Sequence, residues 1–114
     1  MSADPPAIAV YATFPDIATA EEICRDMVEA GLAACVNILP GMRSIYRWQD
    51  KIEEVDEVVA IMKTRRDLTS ELVAGIESMH PYDTPAIVAL QIVEGSDRYL
   101  NWIVSETSRV PVEE

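Results

Sequence analysis

Residues 32–65 constrain the fold of this 114-residue chain more than any other stretch. LAACVNILPGMRSIYRW, Leu32–Trp48, and KIEEVDEVVAIMKTR, Lys51–Arg65, are rich in β-branched, aliphatic and aromatic residues, and only Gln49 and Asp50 separate them. Two such runs across so short a connection form a hairpin. Pro40 and Gly41 interrupt the first arm, a pair that permits a bulge or bend and shifts the facing of the residues beyond it. At roughly 3.3 Å per residue, arms of about fourteen to sixteen residues reach nearly 50 Å, whereas typical strands hold about 5–6 residues. A helix of about 13 residues covers only some 20 Å of that length. The outer arm carries Ile45, Tyr46, Trp48, Ile52 and Val55, too apolar to stand in water as an edge. Another subunit is expected to cover it.

The flanking segments supply the other elements. AIAVYATF, Ala7–Phe14, is apolar on both faces, as a central strand is, and Pro15 with Asp16 closes it. Thr19 and Glu22 spell a T-x-x-E capping box; Ile23, Cys24, Met27 and Val28 fall on one helical stripe, and Gly31 supplies a left-handed stop. A second helix is predicted from Asp67 as N-cap, with Leu68, Leu72, Val73, Ile76 and Met79 on one face; Pro81 forbids its continuation. AIVALQIVEG gives a fourth strand, and Ser96 with Asp97 caps a last helix whose stripe is Leu100, Ile103, Val104 and Thr107. With right-handed crossovers this order makes an α+β, ferredoxin-like βαββαβ fold with an extra C-terminal helix and a long hairpin between its second and third strands. A single domain is expected over residues 1–114, with residues 1–6 as a tail.

Charge narrows the partners. Twenty acidic against nine basic residues give a formal charge of -11, which repels phosphate backbones and attracts cations, so nucleic acid is not an expected partner. MSADPPAIAV has no basic segment ahead of an apolar core, and nowhere do ~20 apolar residues run together; neither signal peptide nor membrane span is expected, and the protein reads as cytoplasmic. Cys24 and Cys35 lie eleven residues apart without a CxxC or a matching histidine pair, so both read as free thiols.

Three stretches and the chain end then carry a resemblance. LAACVNILPGMRSIYRW, VVAIMKT from Val58, HPYDTP from His80 and YLNWIVSET from Tyr99 occur in the order seen in the CutA divalent-cation tolerance proteins, and the chain resembles that family over nearly its whole length. The resemblance implies a ferredoxin-like protomer, a homotrimer whose hairpins pair across subunits, and a link to copper and other divalent metals; it implies no established reaction. Some family members carry a cysteine in the first strand and a second histidine before His-Pro-Tyr, where this chain has Ala12 and Met79. Ala86 stands where glutamate is common and Asp50 where the turn often has glycine. Three of these differences remove metal donors.

His80, the one histidine, is a candidate metal ligand, but a tight site needs two to four donors. Its other reading is a helix-end residue bonding the last carbonyls before Pro81. Cys35 is a candidate soft donor for copper, or a small buried hydrophobe; Cys24 and Met79 read as core. Trp48, Lys63 and Tyr82, with Arg47 and Arg65 near, are candidates for a cleft holding a small anion between subunits. Glu53, Glu54, Asp56 and Glu57 read as solubility and edge protection. No catalytic set, P-loop or GxGxxG is present. The expectation is therefore a non-enzymatic trimer involved in the response to metal ions, with weak copper or divalent-metal binding. The alternative is a small-molecule sensor similar to the PII signalling proteins, with ligand in clefts between subunits.

Overall fold

The structure, a computed structural model, describes residues 6–107. Its elements are β1 (Ala7–Phe14), α1 (Ile17–Glu29), β2 (Cys35–Trp48), β3 (Lys51–Arg65), a 3₁₀ turn (Arg66–Leu68), α2 (Thr69–Met79), β4 (Ile87–Gln91) and α3 (Asp97–Glu106). The strands form one antiparallel sheet in the order β2-β3-β1-β4, the ferredoxin-like arrangement expected. Most of the expected tail, residues 1–5, lies outside the described residues.

The register divides the sheet into two faces. Val10, Ala12 and Phe14 of β1 align with Met62, Ala60 and Val58 of β3, and all six are buried with Ile23, Cys24 and Met27 of α1 and Leu72 and Ile76 of α2. Gly75 lies between these α2 residues; a Cβ there would meet Met27 Sδ at 2.9 Å. The glycine costs α2 about 1 kcal/mol of helix propensity and in return lets α1 approach closely.

The opposite face is mostly uncovered. Ala9, Tyr11 and Thr13 align with Lys63, Ile61 and Val59, and Leu90 and Val88 of β4 flank Ala9 and Tyr11. At one end α3 packs Leu100 and Ile103 against Ala7. Elsewhere on this face Leu39, Val88 and Leu90 stand 52%, 51% and 47% exposed.

The hairpin closes through Gln49 (φ 50°) and Asp50 (φ 67°), both in the left-handed region that a two-residue turn between twisted strands requires. Asp50 takes it without being glycine, as short polar side chains can. The register slips between Leu39 and Met42, where Gly41 has φ 83°, so Met42, Ser44, Tyr46 and Trp48 join the uncovered face.

Several boundaries differ from the sequence reading. The N-cap of α1 is Asp16 and not Thr19, because Asp16 Oδ1 accepts the Thr19 N–H at 2.8 Å and replaces the capping box; that bond holds the Asp16 carboxyl below its usual range. Leu68, not Asp67, is the N-cap of α2, and the Asp67 carboxylate takes two bonds from the Arg65 guanidinium at 3.0 and 2.8 Å. Met79, the last residue of α2, is 37% exposed and not part of the core. β4 stops at Gln91, opposite Ile8, because β1 has nearly run out there.

Burial pushes the Cys24 thiol from 9.0 up to about 11. The unfolded chain gives up this proton first, so above pH 9 it binds fewer protons than the folded protein and stability falls as pH rises. Urea unfolding between pH 9 and about 11 is expected to lose on the order of 2 kcal/mol to this thiol. Cys24→Ala is less stable throughout but should show a visibly shallower fall over the same window. An unchanged slope would mean that the thiol is not protected from ionisation.

Candidate functional site

α2 ends where Pro81 denies it the next N–H. His80 caps it in an extended conformation (φ -73°, ψ 138°), turning the chain and carrying the imidazole toward the sheet. The ring is buried and stacks on Phe14, centroids 4.9 Å apart at 19°. Its Nε2 lies 2.7 Å from the Thr13 carbonyl oxygen. A carbonyl only accepts, so Nε2 carries the proton, which leaves Nδ1 free to accept the Tyr82 N–H at 3.2 Å. The need for this contact comes from the sheet. Thr13 N–H donates to Ala86 C=O at 3.2 Å, but β4 begins only at Ile87, and His80 supplies the donor that the Thr13 carbonyl lacks. The expectation that His80 serves the last helix carbonyls is thus corrected for its side chain: the backbone N–H donates to Glu77 C=O at 3.4 Å, while the ring bonds to β1 and to the following turn.

The same turn forms one wall of a cavity of about 750 Å³ on the uncovered face. Tyr11 and Thr13 come from β1, Ser44, Tyr46 and Trp48 from the projecting arm of β2, and Glu57 from β3; Pro81–Thr84 close one side. Glu57 is 6% exposed and accepts the Tyr82 hydroxyl on Oε2 at 2.8 Å. Burial first, and then this bond, hold the Tyr82 phenol above its ordinary range, so it remains a donor. Tyr11 OH contacts Met42 Sδ at 3.7 Å, fixing one edge of the floor.

Of the residues expected at a ligand cleft, Trp48 and Tyr82 line this cavity. Lys63 does not. It aligns with Ala9 and Cys35, its Nζ bonded to Asn37 Oδ1. Arg47 aligns with Ile52 on the other face, and Arg65 is held by Asp67. Within one protomer the described residues therefore do not assemble the basic lining expected for an anion between subunits. Glu57, read in the sequence as one of four solubility carboxylates, is in fact the polar floor. Only the bulge at Gly41, which places Met42 opposite Glu57, turns the arm so that a cavity forms over it.

The two candidate metal donors are not brought together. Cys35 Sγ shares a 3.0 Å hydrogen bond with Tyr99 OH, which is the main reason the Tyr99 phenol is pushed up to about 12. Cys35 belongs to the Ala9 row of the sheet and His80 to the Thr13 position, roughly 13 Å further along β1 at 3.3 Å per residue. Among the described residues no group of three or more His, Cys, Asp or Glu side chains is placed to hold a metal ion.

Residues 8–106 match the family model described as CutA1 divalent ion tolerance protein. The chain is 44% identical over 102 residues to the divalent-cation tolerance protein CutA of Pyrococcus horikoshii, covering 90% of this chain and 99% of that one. It is 40% identical over 102 residues to the chloroplastic protein CutA of Arabidopsis thaliana, covering 90% of this chain but only 56% of that protein's length. The solved periplasmic divalent cation tolerance protein CutA of Archaeoglobus fulgidus superposes with a TM-score of 0.85 at 38% identity, over 88% of this chain and 97% of that one. These two relatives overturn the cytoplasmic expectation: proteins of this kind occur in a chloroplast and a periplasm, so the lack of a leader pattern near the first residue does not fix a compartment. Among the described residues no helix is long and apolar enough to cross a membrane. With a family model matched over residues 8–106, relatives 40% and 44% identical over nine-tenths of the sequence and a solved relative that superposes on the whole fold, this chain belongs to the CutA1 divalent ion tolerance protein family.

Proposed function

We propose that the protein is a non-enzymatic homotrimer that acts in the response to divalent metal ions and binds copper or another divalent ion weakly. The observation that supports assembly is the uncovered sheet face with Leu39, Val88 and Leu90 about half exposed, continued by Tyr46 and Trp48 on the hairpin, whose other face exposes Ile45 and Ile52. A contiguous exposed apolar surface of this kind marks an interaction site. The number three follows from the resemblance to CutA. His80 and Cys35 are the donors proposed for the metal, and their surroundings account for weak binding. An ion at Nδ1 displaces the Tyr82 N–H, one at Nε2 displaces a proton and the bond to Thr13, and one at Cys35 competes with Tyr99.

The cavity beside Tyr82 favours a second reading, a small-molecule sensor of the PII type, since its volume falls within the range of ligand pockets. Calorimetric titration of metal-free protein with Cu(I), Cu(II), Zn(II) and ATP separates the two. Copper and zinc are expected to bind with Kd weaker than about micromolar. Binding of ATP with no measurable metal affinity would reverse the order of the readings, and nanomolar copper binding would show that the donors are organised in a way the protomer does not display.

A further inference from the structure

The uncovered sheet face carries opposite charges toward its two ends. Glu57 is buried at one end, beneath the projecting arm; its Oε2 takes the Tyr82 hydroxyl, and Oε1 has no hydrogen-bond partner among the described residues. Toward the other end Lys63 lies in the row of Leu90, Ala9 and Cys35. Among the described residues its ammonium has one partner, the neutral Asn37 Oδ1. Six residues along β3 separate the two charges, about 20 Å at 3.3 Å per residue, so they do not meet within one protomer. We propose that in the assembly Lys63 of one copy pairs with Glu57 of the next and so completes the floor of that copy's cavity. The proposal rests on the assembly reading above and names the contact that fixes which ends of neighbouring faces meet.

Covering the face takes water from both charges. Leu90 shares the Lys63 row, and Tyr46 and Trp48 of the apolar arm bound the cavity over Glu57. A charge buried against neutral groups alone costs several kcal/mol more than one buried with an opposite charge, so a neighbour that covers the face must also bring a counter-charge to each end. A cyclic trimer can do this, because its interface joins two different patches of each copy, and the two ends of this face are such patches with complementary charge. The other basic groups of β2 and β3 are less suited. Arg65, on the same face, is held by Asp67. Arg43 and Arg47 lie on the opposite face, the first held by Glu54 and Asp56, and Lys51 stands beside the hairpin turn, opposite Trp48.

The test is a double-mutant cycle on association of the full chain. Glu57→Gln keeps the volume and an oxygen for the Tyr82 hydroxyl, and Lys63→Met keeps the apolar stem without the charge. The concentration at which the assembly half dissociates is read by sedimentation equilibrium in a fixed, sub-denaturing concentration of urea, with circular dichroism to check that the chains stay folded. Each single replacement is expected to raise that concentration by about a hundredfold or more, as removal of one partner from a buried pair does. The double variant should fall short of the product of the two single effects by at least about tenfold, because the second replacement removes a charge that has already lost its partner. Residues about 20 Å apart within one protomer act independently, so coupling of that size arises across the interface. Charge reversal gives a second reading: Glu57→Lys and Lys63→Glu should each weaken assembly, and the two together should restore it to within about tenfold of the unaltered chain. Single effects that simply multiply, or a double reversal no stronger than the weaker single one, would overturn the pairing and leave the assembly standing. A folded, unaltered chain at the protomer mass would overturn both.

Discussion

Leu90→Asp is expected to convert the assembled protein into folded protomers. Leu90 lies on β4 in register with Ala9, 47% exposed and clear of the helical core. Within one protomer the aspartate stays in contact with water, so folding loses little, within about 0.5 kcal/mol for a surface change. In an assembly that buries this face, every copy carries a charge into an apolar contact without a partner, at a cost of several kcal/mol per site. Together these costs lower association by several orders of magnitude, since each 1.4 kcal/mol is about tenfold. Size-exclusion chromatography with light scattering, read beside circular dichroism, distinguishes folded protomers from unfolded chain. An assembly of unchanged mass would show that β4 faces solvent there.

The second large effect belongs to His80. Were it a solvent-facing helix end, His80→Ala would cost about 1 kcal/mol. The ring is instead buried against Phe14 and holds two backbone groups, the Thr13 carbonyl and the Tyr82 amide. Alanine removes the aromatic contact, leaves a cavity, and strands both groups away from water, which together amount to about 3 kcal/mol or more. Urea unfolding of the variant should show a midpoint shift of that size. The weak copper affinity proposed above should change by less than the stability does. The opposite pattern, full stability with copper binding abolished, would make His80 a dedicated ligand.

The contrast between these two residues shows what the sequence discloses. The hairpin was legible because its evidence is local: two long β-rich runs, a two-residue connection, and a Pro-Gly pair that marks the slip between Leu39 and Met42. The helices were legible from their stripes, and their ends were less so, since Asp16 and Thr19 are both capable N-caps and only the backbone path selects Asp16. The partners of His80 were not legible, because Thr13 is 67 residues away and the vacancy at its carbonyl depends on where β4 begins. Glu57 was hidden for a related reason. In sequence it closes an acidic run from Glu53; in space the bulge and the His80–Thr84 turn enclose it. Lys63 looked available to a ligand for want of any sign that Asn37 lies across the sheet from it.

What most needs measuring is whether the uncovered face is buried in solution. Sedimentation equilibrium of the purified chain across a wide range of protein concentration gives the answer without a variant or a ligand. A single species at three times the 12.7 kDa protomer mass across that range is the expected result. A folded, non-associating species at the protomer mass would contradict it, and with it the covering of Leu39, Val88 and Leu90 by neighbouring copies.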